Sequence, residues 1–160
     1  MVDIKELTDE LTKLQSQIKT VLRLSNYREY DDLSDIQYSR TPDNLLLLDE
    51  YRGILDKLSD IEYDLDYLNR PVEFEDILTL RTDGRYGCRN HNQYYTSGTP
   101  IEFLYYDEVC NDSGEFETLP MWRCSRVEHN GSDYYVVGYS DVELNNLKVR
   151  VRKKISGSSR

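Results

Sequence analysis

Residues 41–71 have the sequence TPDNLLLLDEYRGILDKLSDIEYDLDYLNRP. Apolar side chains recur in it at alternating steps of four and three residues, which is the spacing of a coiled-coil helix. The Thr41-Pro42 pair is typical of a helix start, and Pro71 is typical of a residue that follows a helix end. The stretch therefore predicts a long helix, whose apolar seam consists of Leu47, Tyr51, Ile54, Leu58, Ile61, Leu65 and Leu68.

The beginning of the chain repeats this heptad spacing. Asp3 followed by Glu6 resembles a capping box at a helix start. The seam of this first helix consists of Ile4, Leu7, Leu11, Leu14, Ile18 and Val21. Two heptad helices joined by a polar segment fold back most simply on each other. We therefore predict an acidic antiparallel helical (coiled-coil) hairpin over residues 1–70.

The segment between the two helices, residues 25–38, is polar, acidic and rich in tyrosine. Tyr27, Tyr30 and Leu33 recur at steps of three, and a long structureless loop is uncommon in a compact domain. We therefore predict that this segment is partly helical.

After Pro71 the sequence changes to short β-branched and aromatic runs separated by turn residues. These runs predict strands at residues 77–80, 93–96, 101–106, 121–127, 134–137 and 149–151. Asn130-Gly131 predicts a hairpin with a tight turn. The fold class is therefore α+β, with a small antiparallel SH3-like β-barrel at residues 71–154, closed to hide its edges, and a flexible tail at residues 155–160.

The chain has 160 residues and a formal net charge of −10. Residues 1–80 hold 19 acidic and 9 basic side chains, whereas residues 81–160 hold 11 of each. The absence of a basic excess argues against nucleic-acid or anionic-membrane binding over the whole surface. The sequence has no apolar stretch long enough to span a membrane and no apolar signal region, so we expect a soluble protein in the bacterial cytosol. It has only three cysteines, so we expect reduced thiols.

Residues 77–152 resemble an uncharacterised small-domain family of Gram-positive bacteria, found often on their phages and mobile elements. The resemblance implies that the chain comes from such bacteria or from their phages and mobile elements. It implies no established activity. An acidic insertion at 107–118 and the acidic helical half depart from the family pattern. The resembling residues are Thr96-Ser97-Gly98-Thr99-Pro100-Ile101-Glu102, Trp122, Arg126-Val127-Glu128-His129, Tyr134-Tyr135, Gly138 and Leu147-Lys148-Val149-Arg150-Val151-Arg152.

Two Cys–His pairs are candidate chemical groups. Cys88 with His91 and Cys124 with His129 have short spacings that zinc sites use, but the pairs are imperfect, and Cys124 alternates with Trp122 in a strand, as a buried thiol would. Cys88 is also the best candidate nucleophile, because an arginine and a histidine are near it. The chain lacks a phosphate-binding glycine loop, a nucleophile elbow and an HExxH motif. We therefore predict a protein that is not an enzyme and needs no metal or cofactor, with ordinary reduced cysteines.

Acidic and tyrosine side chains share the side of the second helix that is opposite to its seam. Carboxylates on successive helical turns can occupy the phosphate-binding residues of a basic cleft, and tyrosines supply contact area. The alternative is a solvated face that serves solubility. The predicted partner-binding residues are Tyr27, Tyr30, Asp31, Asp32, Asp35, Tyr38, Asp49, Asp56, Asp60, Tyr63, Asp66 and Tyr67.

These patterns favour a phage or mobile-element accessory protein that binds and inhibits a basic, nucleic-acid-handling host protein. A CRISPR effector or another defence nuclease is the expected target class, which would make the chain an anti-CRISPR or anti-defence inhibitor that mimics DNA. One alternative is a nucleic-acid-binding accessory factor that uses the barrel and the basic residues Arg150, Arg152, Lys153 and Lys154. Another is a structural coiled-coil module whose seam pairs two chains as a homodimer.

Overall fold

The computed structural model describes residues 2–27 and 33–154 and divides into two units, residues 1–70 and 71–160. In the described part, the first unit contains helices α1 (Ile4–Leu24) and α2 (Pro42–Asn69). Neither helix combines the length and the apolar composition that a membrane span requires. The second unit contains strands β1 (Val72–Leu80), β2 (Tyr86–Cys88), β3 (Tyr94–Tyr95), β4 (Pro100–Cys110), β5 (Phe116–His129), β6 (Tyr134–Val136) and β7 (Lys148–Arg152). The predicted α+β class is confirmed.

Both helices begin where the sequence predicts. The Asp3 side chain caps α1 by accepting a hydrogen bond from a backbone N–H two residues on, at 3.3 Å. Thr41 caps α2, because its hydroxyl accepts a hydrogen bond from the backbone N–H of Asn44 at 3.2 Å. α2 ends at Asn69, and Arg70 is its C-cap. Pro71 disfavours the helical conformation at Arg70, because a proline restricts the residue before it.

Side-chain contacts between the helices show that they run antiparallel. The Gln15 side chain accepts a hydrogen bond from the Asn69 amide at 3.0 Å, near the end of α2. One turn further along α1, the Lys19 ammonium lies 3.3 Å from the Glu62 carboxylate, which is two turns earlier in α2. The contacts therefore move towards the start of α2 as α1 proceeds.

Only part of the predicted heptad seam is buried, so the coiled-coil arrangement is not confirmed. Ile18 is buried, but the other buried residues of the pair, Gln15 and Leu55, lie outside the predicted seam. Two further seam residues, Leu58 and Leu65, are half-buried, and Gln15 makes its hydrogen bonds to α2. The exposed seam residues are Ile4, Leu7, Leu11, Leu14, Val21, Leu47, Tyr51, Ile54, Ile61 and Leu68.

The connecting segment is not helical over residues 33–41. Leu33 is buried with 2% of its surface exposed, and its φ of 57° places it in the left-handed region. Its carbonyl accepts a hydrogen bond from the Ile36 N–H at 3.1 Å, which closes a turn. Residues 25–27 and 33–38 contain no helix, and residues 28–32, where most of the predicted short helix falls, lie outside the described residues.

The described strands of the second unit form a curled antiparallel sheet with the order β3-β2-β1-β7-β4-β5-β6. Its core consists of apolar side chains on one face, with Leu78, Phe103, Val127, Val136 and Val149 fully buried. β3 and β6 lie at the edges of this half-barrel, so closure into an SH3-like barrel is not confirmed. Six predicted strands correspond to observed ones, and the three-residue strand β2 was missed.

The predicted hairpin at Asn130-Gly131 joins β5 to β6, but its turn is longer than predicted. The loop has four residues, and the Asn130 side chain accepts hydrogen bonds from the backbone N–H groups of Ser132 and Asp133, each at 3.0 Å. Gly131 has a positive φ of 99° in this loop, but the loop is longer than the predicted tight turn.

The predicted acidic insertion at residues 107–118 is the outer part of a long hairpin formed by β4 and β5. Its turn closes with a hydrogen bond from the Gly114 N–H to the Asn111 carbonyl at 3.0 Å. Tyr106 and Phe116 on this hairpin are 63% and 73% exposed.

Candidate functional site

The side of α2 opposite to its seam carries the largest group of predicted site residues. Asp49, Asp56, Asp60 and Tyr63 are exposed, and Tyr67 is half-buried. These five positions fall within about 60° of the helix circumference, and the three carboxylates are separated by about 10 Å and 6 Å along the axis. We call these five residues the acidic face.

Two members of the acidic face carry no compensating cation among the described residues. α2 has eight acidic and two basic residues. Arg52 pairs with Asp49 at 3.2 Å, but Asp56 and Asp60 form no ion pair in the described part of the chain. The face therefore presents a negative potential to solvent.

Asp66 has a different role from the one predicted. Its carboxylate accepts two hydrogen bonds from the Arg70 guanidinium, at 2.6 Å and 2.9 Å, and both side chains are mostly buried. Both bonds reach the same oxygen, Oδ2, and this charge-assisted pair stabilises the end of α2 rather than offering a free charge.

The connecting segment contributes one described residue to the acidic face, namely Tyr27, whose hydroxyl donates a hydrogen bond to Asp56. Asp35 is exposed, but it lines an apolar groove with Val21 and so lies away from the face. Tyr38 is 43% exposed on the segment. The predicted contacts Tyr30, Asp31 and Asp32 lie outside the described residues.

The basic residues of the alternative nucleic-acid surface divide into two groups. Arg150 and Arg152 both donate hydrogen bonds to Glu102, from Nε at 2.6 Å and 2.9 Å respectively, and Glu102 is only 3% exposed. The Arg150 guanidinium also lies 4.5 Å from the Trp122 ring centroid. These two arginines are therefore engaged inside the second unit, whereas Lys153 and Lys154 are exposed.

The cysteines do not form the groups that the sequence suggested. Cys88 is fully buried, and burial together with the negative charge of Asp76 raises the pKa of its thiol to about 11. A thiol of this pKa is protonated near neutral pH and is a poor nucleophile. Cys124 is exposed and not buried. It lies three residues from the buried Val127 in the same strand, so its side chain is on the opposite, outer face of the sheet. Within the described residues no three His, Cys, Asp or Glu side chains are placed to share a metal ion.

A buried carboxylate beside a histidine is the feature that sequence reasoning missed. Asp76 accepts hydrogen bonds from His91 Nδ1 and from the backbone N–H groups of Ile77 and Asn90, each at 2.8 Å. The His91 ring stacks on Phe74 with centroids 3.7 Å apart. No periodicity in the sequence links Asp76 to His91, and nothing in the sequence distinguishes Asp76 from Glu73 and Glu75 of the same strand.

His91 lies at the wall of a surface cavity of about 660 Å³. Because Nδ1 is bonded to Asp76, Nε2 is the ring nitrogen that can meet a ligand. The backbone of Lys153, another lining residue, is held by a hydrogen bond from its N–H to the Pro71 carbonyl at 3.0 Å. The cavity is lined by Glu73, Phe74, His91, Asn92, Gln93, Val151, Arg152, Lys153 and Lys154.

Asp76 is expected to make the stability of the second unit sensitive to acid. Burial raises the pKa of Asp76, but the hydrogen bonds from His91, Asn90 and Ile77 outweigh it and lower that pKa from 3.8 to about 2. The free energy that this carboxylate contributes is present above pH 4 and is lost as the pH falls towards 2, an effect on the order of 2 kcal/mol.

Urea unfolding at pH 6 and pH 2.5 measures this contribution. Asp76→Asn is expected to lower the free energy of unfolding at pH 6 and to differ much less from the unchanged chain at pH 2.5. The exposed Asp112→Asn is the matched control and is expected to change neither value by more than about 0.5 kcal/mol. An Asp76→Asn effect of equal size at both pH values would contradict the assignment.

No curated protein and no solved structure matches the chain. A family model does match most of the second unit, from the middle of β1 to the middle of β7. This match confirms the predicted resemblance to an uncharacterised domain family. The family model that matches residues 77–151 is DUF5348, a domain of unknown function.

Proposed function

We propose that the chain is a non-enzymatic binding protein whose acidic face binds the cationic surface of a nucleic-acid-handling protein. The observation that carries the proposal is the exposure of Asp56, Asp60 and Tyr63 on one side of α2, the two acids having no ion-pair partner in the described chain. Binding there blocks access of nucleic acid to the partner.

Charge and contact area act together in this mechanism. The negative potential of α2 steers the chain towards a basic cleft and increases the association rate, an effect that salt screens. Acids alone make poor interface centres because their desolvation is costly, and tyrosine is enriched at the centres of interfaces. Tyr63 supplies such a ring beside the carboxylates. Tyr27 supplies another, because its hydroxyl is hydrogen-bonded to Asp56.

A defence nuclease, a CRISPR effector among them, is the narrower target that we propose. This choice rests on the resemblance of the second unit to a family that occurs on phages and mobile elements, together with the acidic face. An inhibitor of this kind occupies a nucleic-acid channel and requires no catalytic centre of its own.

The proposal is tested by capturing proteins from a bacterial host lysate on the immobilised full-length chain. The captured protein is expected to be basic, to bind nucleic acid, and to elute between about 0.15 M and 0.5 M salt. Added nucleic acid is expected to elute it as well, because both ligands compete for one surface. Retention that salt and nucleic acid leave unchanged would contradict the proposal.

The cavity at His91 favours a second candidate function, an accessory factor that binds the phosphate groups of nucleic acid. The Lys153 and Lys154 ammonium groups, which line this cavity together with His91, are donors that suit a phosphate. Because Arg150 and Arg152 are engaged with Glu102, the phosphate site of this second candidate is smaller than the whole basic strand.

The second candidate predicts that Lys153→Ser with Lys154→Ser weakens binding of a labelled single-stranded oligonucleotide at least about tenfold. Lys5→Ser with Lys13→Ser on α1 is the charge-matched control and is expected to bind as the unchanged chain does. Fluorescence anisotropy at 0.15 M salt measures both, with inorganic phosphate as a competitor. Arg150 and Arg152 are left in place, since their removal would unpair Glu102.

A further inference from the structure

An apolar strip remains exposed along both helices of the first unit. Its side chains recur every seven residues in each helix, and each is between 43% and 59% exposed. We call this set the apolar strip: Leu7, Leu14 and Val21 of α1, with Leu47, Ile54, Ile61 and Leu68 of α2.

The two halves of the apolar strip lie on one side of the helical pair. Val21 and Ile54 line the same groove, which has a volume of about 570 Å³ and also contains Leu24, Tyr51 and Leu58. On α2 the strip is centred about 130° around the helix from the acidic face. A partner that covers the strip therefore leaves the acidic face open.

The exposed area matches what a stable association buries. Together with Ile4, Leu11 and Tyr51, ten apolar side chains lie on this side at 37–75% exposure. At on the order of 80 Å² each, they present about 800 Å² of surface, which is the area that each partner contributes to a standard interface. Contiguous apolar patches of this size on soluble proteins usually mark interaction sites.

Charge and periodicity indicate a second copy of this chain as the occupant. A heptad strip packs best against helices with the same heptad spacing, and both helices of another copy have it. α1 holds four basic and three acidic residues, whereas α2 holds two basic and eight acidic ones. Placing α1 of one copy beside α2 of the other brings unlike charges together and keeps the two acidic helices apart.

We propose that the apolar strip is the self-complementary interface of a homodimer, a four-helix bundle in which each α1 lies beside the partner's α2. The same patch on both copies then forms a closed, two-fold interface. Each dimer presents two acidic faces, so a bivalent target gains avidity without any new contact. The dimer does not depend on the proposed function, and either one can fail while the other holds.

The mass of the full-length chain in solution tests this proposal. Sedimentation equilibrium under reducing conditions, needed because Cys110 and Cys124 are exposed, is expected to give twice 18.9 kDa, or 37.8 kDa. Leu14→Gln with Ile61→Gln removes two strip residues that are 43% and 45% exposed. Its dimer dissociation constant is expected to rise about 100-fold or more.

Leu45→Gln is the matched control, because Leu45 is 49% exposed on α2 but lies on the side of the acidic face. It is expected to keep the dimer mass. Far-UV circular dichroism checks that each variant is helical. If the double variant loses helix, Leu14→Gln alone is measured, and its dimer dissociation constant is expected to rise about tenfold. A monomer mass for the unchanged chain at 0.2 mM, or a dimer unaffected by the strip variants, overturns the proposal.

Discussion

Replacing Glu102 with glutamine is expected to lower the free energy of unfolding of the second unit by about 3 kcal/mol or more. Glu102 is buried at 3% exposure, and Arg150 and Arg152 are both bonded to it. Glutamine keeps the shape but removes the negative charge that two partly buried guanidinium groups share. Breaking a buried pair costs much more than a surface pair contributes.

Trp122 provides the measurement, because it is the single tryptophan of the chain and lies under the Arg150 guanidinium. Its fluorescence therefore reports on unfolding of the second unit in a urea titration. Glu108→Gln is the matched control, an exposed glutamate on the same strand β4, and is expected to change the free energy of unfolding by less than about 0.5 kcal/mol. Equal midpoints for the two variants would contradict the structural role of Glu102.

Removing the charge of the acidic face is expected to weaken binding to the captured cationic partner about 100-fold at 0.1 M salt. The variant is Asp49→Asn, Asp56→Asn and Asp60→Asn, which keeps side-chain size and helix position. Each lost charge at a cationic interface is worth roughly 1 kcal/mol or somewhat more at this salt. The salt dependence of the affinity is expected to flatten as well.

A second triple variant separates this surface from net charge. Asp9→Asn, Glu115→Gln and Glu117→Gln also remove three exposed acids, none of which is on the acidic face. This control is expected to change the affinity less than about threefold, by its effect on long-range steering. If surface plasmon resonance shows equal losses for both variants, the binding depends on total charge and not on the acidic face.

The helix ends could be predicted from the sequence because caps act locally. Thr41 and Asp3 accept hydrogen bonds from N–H groups two or three residues away, and Pro71 restricts its own neighbour. The side on which the helices join could not be predicted, because a heptad pattern serves pairing within a chain and between chains equally well. The structure buries Gln15, Ile18 and Leu55 in the helical pair, and the exposed apolar strip is the surface that we propose for pairing between chains.

The internal polar groups of the second unit could not be predicted because they depend on strand order. Glu102 lies beside Arg150 since β4 pairs with β7 and not with the strand before it. Asp76 meets His91 across 15 residues of chain, through the connection between β2 and β3. Because His91 is close to Cys88 in the chain, spacing alone suggests that the two act together. Because Arg150 and Arg152 are close to Lys153 and Lys154, spacing alone likewise suggests one basic surface.

The common side of the acidic-face residues could be predicted from the sequence. Helical periodicity places Asp49, Asp56, Asp60, Tyr63 and Tyr67 on one side without any knowledge of tertiary structure. Periodicity alone does not show that Asp66, one position before Tyr67, pairs with Arg70 at the helix end.

Competition for nucleic acid tests the central claim most directly. A labelled oligonucleotide is bound to the captured partner protein, and its fluorescence anisotropy is followed while the full-length chain is added. We expect the anisotropy to fall to the value of the free oligonucleotide, and the chain alone to leave that value unchanged. An anisotropy that rises on addition of the chain, or that the chain alone increases at 0.15 M salt, would contradict occlusion by the acidic face.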